Sequence, residues 1–151
     1  MPKALIAIED HDFYNHGAIA IDGILRATLV NLSAGEVVQG GSTLTQQFVK
    51  NVFLSHEQSM ERKIEEAILS LMLEDNYSKD EILELYLNTT YLGAGTGIKQ
   101  ASQTYFGKAP SALTLAEATV IASLPYAPTA LNPLENPQVQ KTSTPSFKCH
   151  A

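Results

Sequence analysis

Two glutamates in different surroundings and a set of three cations are the residues of this chain best equipped to do chemistry together. Glu9 ends the apolar run ALIAI and is followed by Asp10 and Asp12. Desolvation and like charge are expected to raise its carboxyl towards the range where a glutamate exchanges protons near neutral pH. Glu66 lies four residues after Arg62 and three after Lys63, within reach of both on a helix. Lys50 completes the cationic set. Paired carboxylates suit glycosyl chemistry. Cations beside them suit a diphosphate leaving group, whose developing charge they stabilise. A glycosidase needs no such cations.

The stretch GGSTLTQQ, residues 40–47, adds a second kind of group. Paired glycines let backbone approach a ligand closely. The start of the following helix offers free N–H groups and the positive end of its dipole. Ser42, Thr43, Thr45, Gln46 and Gln47 supply neutral hydrogen-bonding groups, and Lys50 lies one turn beyond Gln46. The same pattern also describes a well-capped helix after a loop.

The elements that must position these residues read as helices. Residues 59–74, SMERKIEEAILSLMLE, contain no Pro or Gly, and Met60, Ile64, Ala67, Ile68 and Leu71 recur at helical spacing. Leu69 and Leu73 lie on the opposite side with Arg62 and Glu66. The segment therefore reads as a central helix, apolar nearly all round at its C-terminal end and buried there. It carries Arg62, Lys63 and Glu66 into a site or, in the plainer alternative, exposes them as an Arg62–Glu66 surface pair. Before it come helices over residues 2–9, 22–32 (apolar side Ile24, Leu25, Thr28, Leu29 and Leu32) and 42–54, capped by Ser42 or Thr43. After it, Ser78 with Glu81 and Thr114 with Glu117 have capping-box spacing. They open helices over residues 78–88, with Ile82, Leu85 and Tyr86 inward, and 114–124, ended by Pro125. Between these, residues 98–106 form a short helix that Gly107 stops. Residues 33–41 read as a flexible loop. No strand pattern persists, so the fold class is mainly α, a single helical domain over residues 1–137. Residues 138–151 form a disordered tail.

Composition bounds the rest. Hydrophobic residues make up 44% and charged residues 17%, as in a globular protein. A net charge of −6 disfavours nucleic acid as a partner. The single Cys149 excludes a disulfide framework. No apolar run approaches a membrane span, and there is no signal peptide. No dedicated metal-ligand set is visible. No cofactor is required, although a divalent cation, Mg²⁺ or Mn²⁺, held by a diphosphate together with Glu66 is compatible with the residues.

Four ordered segments then resemble a known family. Glu9-Asp10-x-x-Phe13-Tyr14-x-His16-Gly17 resembles the first motif of peptidoglycan glycosyltransferases. These are the family 51 transglycosylase domains of class A penicillin-binding proteins and of monofunctional transglycosylases. Gly41-Ser42-Thr43-Leu44-Thr45-Gln46-Gln47, with Lys50 and Asn51 after it, resembles the second motif. Arg62-Lys63-x-x-Glu66 resembles the third, and Lys79-x-x-Ile82-Leu83-Glu84-x-Tyr86-Leu87-Asn88 the fourth. The segment ending Tyr105-Phe106-Gly107-Lys108 and the helix before Pro125 are also similar. The likeness covers residues 2–137.

The resemblance implies a helical, distantly lysozyme-like fold and a reaction that polymerises lipid II into β-1,4-linked glycan strands. The reaction inverts the anomeric centre and releases undecaprenyl diphosphate. It implies Glu9 as general base and Glu66 as the donor-side catalytic carboxylate. Asp10, Ser42, Thr43, Gln46, Gln47, Lys50, Arg62 and Lys63 become substrate-binding residues, and the fourth motif is mainly scaffold. The implied partners are lipid II, the growing glycan chain, moenomycin-type inhibitors and the membrane surface at the outer face of the bacterial cytoplasmic membrane. Membrane contact near residues 35–40 is expected to be slight, since Val37 and Val38 are that loop's only apolar residues. The family's membrane-spanning helix and fifth, arginine-containing motif have no counterpart in the sequence, nor does the transpeptidase domain found in class A members. The domain is therefore expected to be incomplete at both ends. The alternatives are an impaired fragment that binds lipid II or moenomycin without turnover, and a lysozyme-like enzyme that cleaves peptidoglycan.

Overall fold

A computed structural model describes residues 1–35, 40–55, 57, 59–126 and 131–134. These contain seven α-helices: α1 (Pro2–Glu9), α2 (Ile21–Ala34), α3 (Leu44–Phe53), α4 (Met60–Asn76), α5 (Lys79–Thr89), α6 (Ile98–Phe106) and α7 (Leu115–Ser123). A single 3-10 turn, Pro110–Ala112, precedes α7. Among the described residues the only β-pairing is an isolated bridge between Tyr91 and Thr96. The mainly α reading of the fold class therefore holds. The 137/138 boundary, Val37 and Val38 lie outside the described residues.

The chain forms two compact units. One comprises residues 1–9 and 87 onward. Its core is Leu92, Ile98, Ala101, Tyr105, Ile121 and Leu124, with Met1, Leu87, Phe106 and Leu113 packed around it. Here α1 lies against α7. Tyr105 donates its hydroxyl hydrogen to the Leu92 carbonyl at 2.9 Å, so the buried ring leaves no polar atom unmet. Gly97 starts α6 with φ +84°, and a Cβ there would fall 2.6 Å from the Asn88 carbonyl oxygen. Only glycine fits that approach.

The other unit spans residues 10–86. Its buried apolar residues include Phe13, Ala18, Ala27, Leu44, Phe48, Val49, Ile82, Leu83 and Tyr86. α3 packs on α4. Both foreseen capping boxes form at Ser78–Glu81 and Thr114–Glu117. A third forms at Thr43–Gln46, which makes Thr43 and not Ser42 the cap of α3.

Two expectations are corrected in this unit. α4 is not buried by its apolar stripe: Met60, Ile64, Ile68 and Leu71 are all half or more exposed. The inward side is the opposite one, where Glu66 and Ser70 are buried and Arg62, Leu69, Leu73 and Glu74 are half-buried. Glu66, Ser70 and Glu74 are met there, whereas Arg62 Nε is buried with no hydrogen-bond partner among the described residues. Ser70 Oγ donates to the Glu66 carbonyl at 2.6 Å, and Glu74 Oε1 accepts from Thr45 Oγ1 at 2.6 Å. Satisfied polar groups can face a neighbouring helix, and the small Ser70 lets that neighbour come close. α2 departs in the same way. Its apolar residues Ile24, Leu25, Leu29 and Leu32 are exposed, and only Ala27 is buried. A narrow strip of small residues makes the contact, since a Cβ on Gly41 would lie 3.0 Å from Ile24 Cα and 3.4 Å from Ala27 Cβ.

Candidate active site

α4 starts at Ser59, whose hydroxyl accepts from the Arg62 amide at 3.1 Å. That cap fixes the first turn, and the helical repeat then places Arg62, Lys63 and Glu66 side by side. Arg62 Nη1 donates to Glu66 Oε2 at 3.1 Å, and Lys63 Nζ pairs with Oε1. Glu66 is only 1% exposed, and each of its carboxyl oxygens meets a cationic side chain, as a buried acid requires. The plainer sequence alternative, a surface pair, is thus half right: the pair exists, but its carboxylate is inside. Two cations on one carboxylate leave the cluster with surplus positive charge. The Lys63 side chain is 42% exposed and delivers that charge to the surface.

Lys63 Nζ also donates to Ser42 Oγ at 3.1 Å, which joins the third motif to the second. The remaining second-motif groups divide by role. Thr43 Oγ1 donates to the Ala18 carbonyl at 2.7 Å and accepts from the Gln46 amide at 3.1 Å. The Gln46 side-chain carbonyl accepts from the Thr43 amide at 3.1 Å. Both residues are buried. They build the helix start, and their side chains are engaged within the protein. Gln47 Oε1 accepts from the Tyr86 hydroxyl of the fourth motif at 3.0 Å. Lys50 is exposed and, among the described residues, has no carboxylate partner.

The first motif is tied to the same helix start. Asp10 Oδ2 accepts from the Leu44 amide, the first of α3, at 3.0 Å, while Oδ1 lies 2.6 Å from His16 Nε2. Phe13 is fully buried, and Lys79 of the fourth motif stands 4.6 Å over its ring. Lys79 also donates to Glu74 Oε1 at 2.7 Å, the oxygen that Thr45 reaches from α3. Sequence reasoning assigned the fourth motif to the scaffold, and Lys79 acts as such. Glu74 and Thr45 were not singled out as partners, because nothing local links residues 29 positions apart.

Within this unit Ser42, Arg62, Lys63 and Glu66 are joined to one another, Asp10 is joined to the start of α3 that Thr43 and Gln46 build, and Gln47 and Lys50 lie further along α3. Glu9, the last residue of α1, belongs to the other compact unit. It is half-buried, with Oε1 beneath the surface. Among the described residues no cluster of His, Cys, Asp and Glu has the form of a metal site.

The sequence matches the family described as Transglycosylase over residues 1–146. The chain belongs to the transglycosylase family. This transglycosylase match extends past residue 137, where the sequence reading ended the domain. Penicillin-binding protein 1A of Aquifex aeolicus is 48% identical over 137 residues, which is 90% of this chain and 19% of that protein. The Neisseria flavescens protein of the same name is 50% identical over 142 residues, 93% of this chain and 18% of its own length. The Escherichia coli K12 protein is 51% identical over 135 residues, 89% of this chain and 16% of its own. The transglycosylase chain thus spans under a fifth of the curated relatives it matches. All four motif segments fall inside the transglycosylase match. No helix among the described residues is long and apolar enough to cross a membrane.

Proposed function

We propose that this transglycosylase-family chain polymerises lipid II into β-1,4-linked glycan strands with inversion, releasing undecaprenyl diphosphate. Glu9 takes the proton of the acceptor 4-hydroxyl as that oxygen bonds to the donor anomeric carbon. The bond from that carbon to the diphosphate breaks, and the electron pair leaves on the diphosphate. Lys63, Arg62 and Lys50 meet the charge that develops there. Ser42 and Gln47 contribute hydrogen bonds to sugar or phosphate oxygens. Thr43, Gln46 and Asp10 act one step back, by building the helix start that presents those groups.

The observation that carries this reading is the half-exposed Lys63 ammonium, held between Ser42 and the buried Glu66 with Arg62 alongside. A pre-set cationic group with no more than one compensating carboxylate suits an anionic leaving group. It suits hydrolysis of a glycan poorly. Both oxygens of Glu66 are already committed, and a glycosidase needs its two carboxyls available as acid and as base or nucleophile. The same commitment disfavours a divalent cation ligated by Glu66, so no step is routed through a metal.

Moenomycin-type inhibitors are proposed to compete for the same anion-binding groups. The membrane surface is proposed to lie against α2, whose Ile21, Leu25, Leu29 and Leu32 are exposed. The outer face of the cytoplasmic membrane is the proposed location, because the proposed substrate is lipid II.

The deciding experiment follows labelled lipid II with the chain as it stands and with Glu9→Gln. Polymer from the first, and at least a hundredfold less from the second, is expected of a general base, whose removal costs about 10²–10⁴ in rate. Equal turnover by both would overturn the base assignment. Release of reducing ends from finished peptidoglycan without lipid II consumption would favour the cleaving enzyme. Moenomycin binding without turnover would favour the impaired fragment.

A further inference from the structure

His16 is an ionisable residue of the first motif to which the proposed reaction gives no task. Its ring is half-buried and sits between two acceptors. Nδ1 is 2.6 Å from the Gly17 carbonyl oxygen, and Nε2 is 2.6 Å from Asp10 Oδ1. A backbone carbonyl can only accept. An Asp carboxylate whose other oxygen already takes the Leu44 amide is an acceptor as well. Both contacts are hydrogen bonds together only when the ring donates from both nitrogens, which is the imidazolium form. The other ring facing it is Phe13, edge-on with centroids 6.4 Å apart. Asp10 is the only carboxylate bonded to the His16 ring among the described residues.

We propose that His16 is a positioning residue, a cationic clamp on Asp10. The clamp holds the Asp10 carboxylate on the first amide of α3. It joins three consecutive links: the Gly17 carbonyl, the imidazolium and the carboxylate that caps the helix. Both ends matter to the reaction proposed above, on which the kinetic part of this inference rests. The far end is the helix start that bears Ser42. The near end is the residue bonded directly to Glu9, so a freed Asp10 frees one end of the backbone of the proposed base. An error of about 1 Å in such a group can cost about 10² in rate.

Two substitutions separate the links. A glutamine amide reaches the position of Nε2 and keeps the bond to Asp10. An asparagine amide reaches only the position of Nδ1 and keeps the bond to Gly17. His16→Gln is expected to retain kcat to within about 5-fold, and His16→Asn to lose about 30-fold or more in kcat with KM for lipid II changed less than about 3-fold. A turn-forming role alone would favour asparagine. An Asn variant equal to or better than Gln, or a loss confined to KM, overturns the proposal.

The second measurement does not depend on turnover or on either variant folding. Nitrogen-15 spectra of the histidine rings in the wild-type chain are expected to show both nitrogens of His16 protonated at neutral pH, and one of them unprotonated in Asp10→Asn. A neutral His16 ring in the wild type overturns the clamp. If the wild-type chain fails to polymerise lipid II while its His16 ring is doubly protonated, the functional reading fails and the clamp stands.

Discussion

Lys63 Nζ donates to Ser42 Oγ at 3.1 Å across 21 residues of sequence. The same ammonium pairs with Glu66 one turn along its own helix. This one side chain therefore connects the start of α3 to the buried carboxylate of α4. It is the most economical explanation for an exposed cation standing next to the neutral polar groups of the second motif.

The Arg62–Glu66 pair sets the first prediction. Arg62→Met keeps much of the side-chain volume but leaves Glu66, 1% exposed, with Lys63 as its only cation. Removing one partner of a buried pair typically costs about 3–5 kcal/mol. Because Lys63 remains, the expected loss here is smaller, about 2 kcal/mol by urea denaturation. Binding of a lipid-diphosphate analogue should weaken in parallel. Unchanged stability would show that Lys63 alone satisfies the carboxylate.

α4 supplies a second test, because sequence periodicity and structure point to opposite faces. Ile64→Ser and Ile68→Ser should each change stability by less than about 1 kcal/mol, as exposed substitutions usually do. Had that stripe been the core face, each would cost several times more. Denaturant midpoints of the two single variants decide the matter.

Gly97→Ala tests the close approach at the start of α6. It combines a φ of +84° with a Cβ 2.6 Å from the Asn88 carbonyl oxygen, a backbone atom that cannot swing aside. An expected loss of about 2–4 kcal/mol combines left-handed strain with overpacking. Gly35→Ala, also at positive φ but with nothing within 4 Å, should cost distinctly less. Thermal unfolding of both variants supplies the comparison.

The Glu117 carboxyl is held down to about 2 from its usual 4.5, first by the Lys108 ammonium and then by the Thr114 amide. A carboxyl depressed on folding adds stability that is fully present above pH 4.5 and is lost as pH falls towards 2. Glu117→Gln should therefore lower Tm at pH 6 and converge with the wild type near pH 2. A Tm difference independent of pH would mean that the glutamine cannot serve the capping box at all, and that charge is not what Glu117 contributes.

Local rules made much of this protein readable before its structure. α1 and α6 run over the stretches their composition marks out. The boxes at Ser78–Glu81 and Thr114–Glu117 announce their helices, because capping is a contest among neighbouring groups. Arg62, Lys63 and Glu66 had to meet once residues 60–76 were helical, since the helical repeat alone brings them together. The family likeness marked Glu9, Asp10 and the second-motif residues as candidates for the site.

Tertiary structure decided which side of each helix is the inside. The apolar stripes of α2 and α4 are strong periodic signals, yet both are exposed. Periodicity reports where apolar groups cluster, whereas burial depends on which face a neighbour can approach and whether its polar groups find partners. On α4 the partners are Arg62 and Lys63 for Glu66, and Thr45 and Lys79 for Glu74. The last two are contributed from other helices. Tertiary structure also divided the second-motif residues, turning Thr43 and Gln46 inward to cap α3 and leaving Ser42 to Lys63. Such assignments arise from contacts between segments far apart in the chain, and a linear pattern does not encode them.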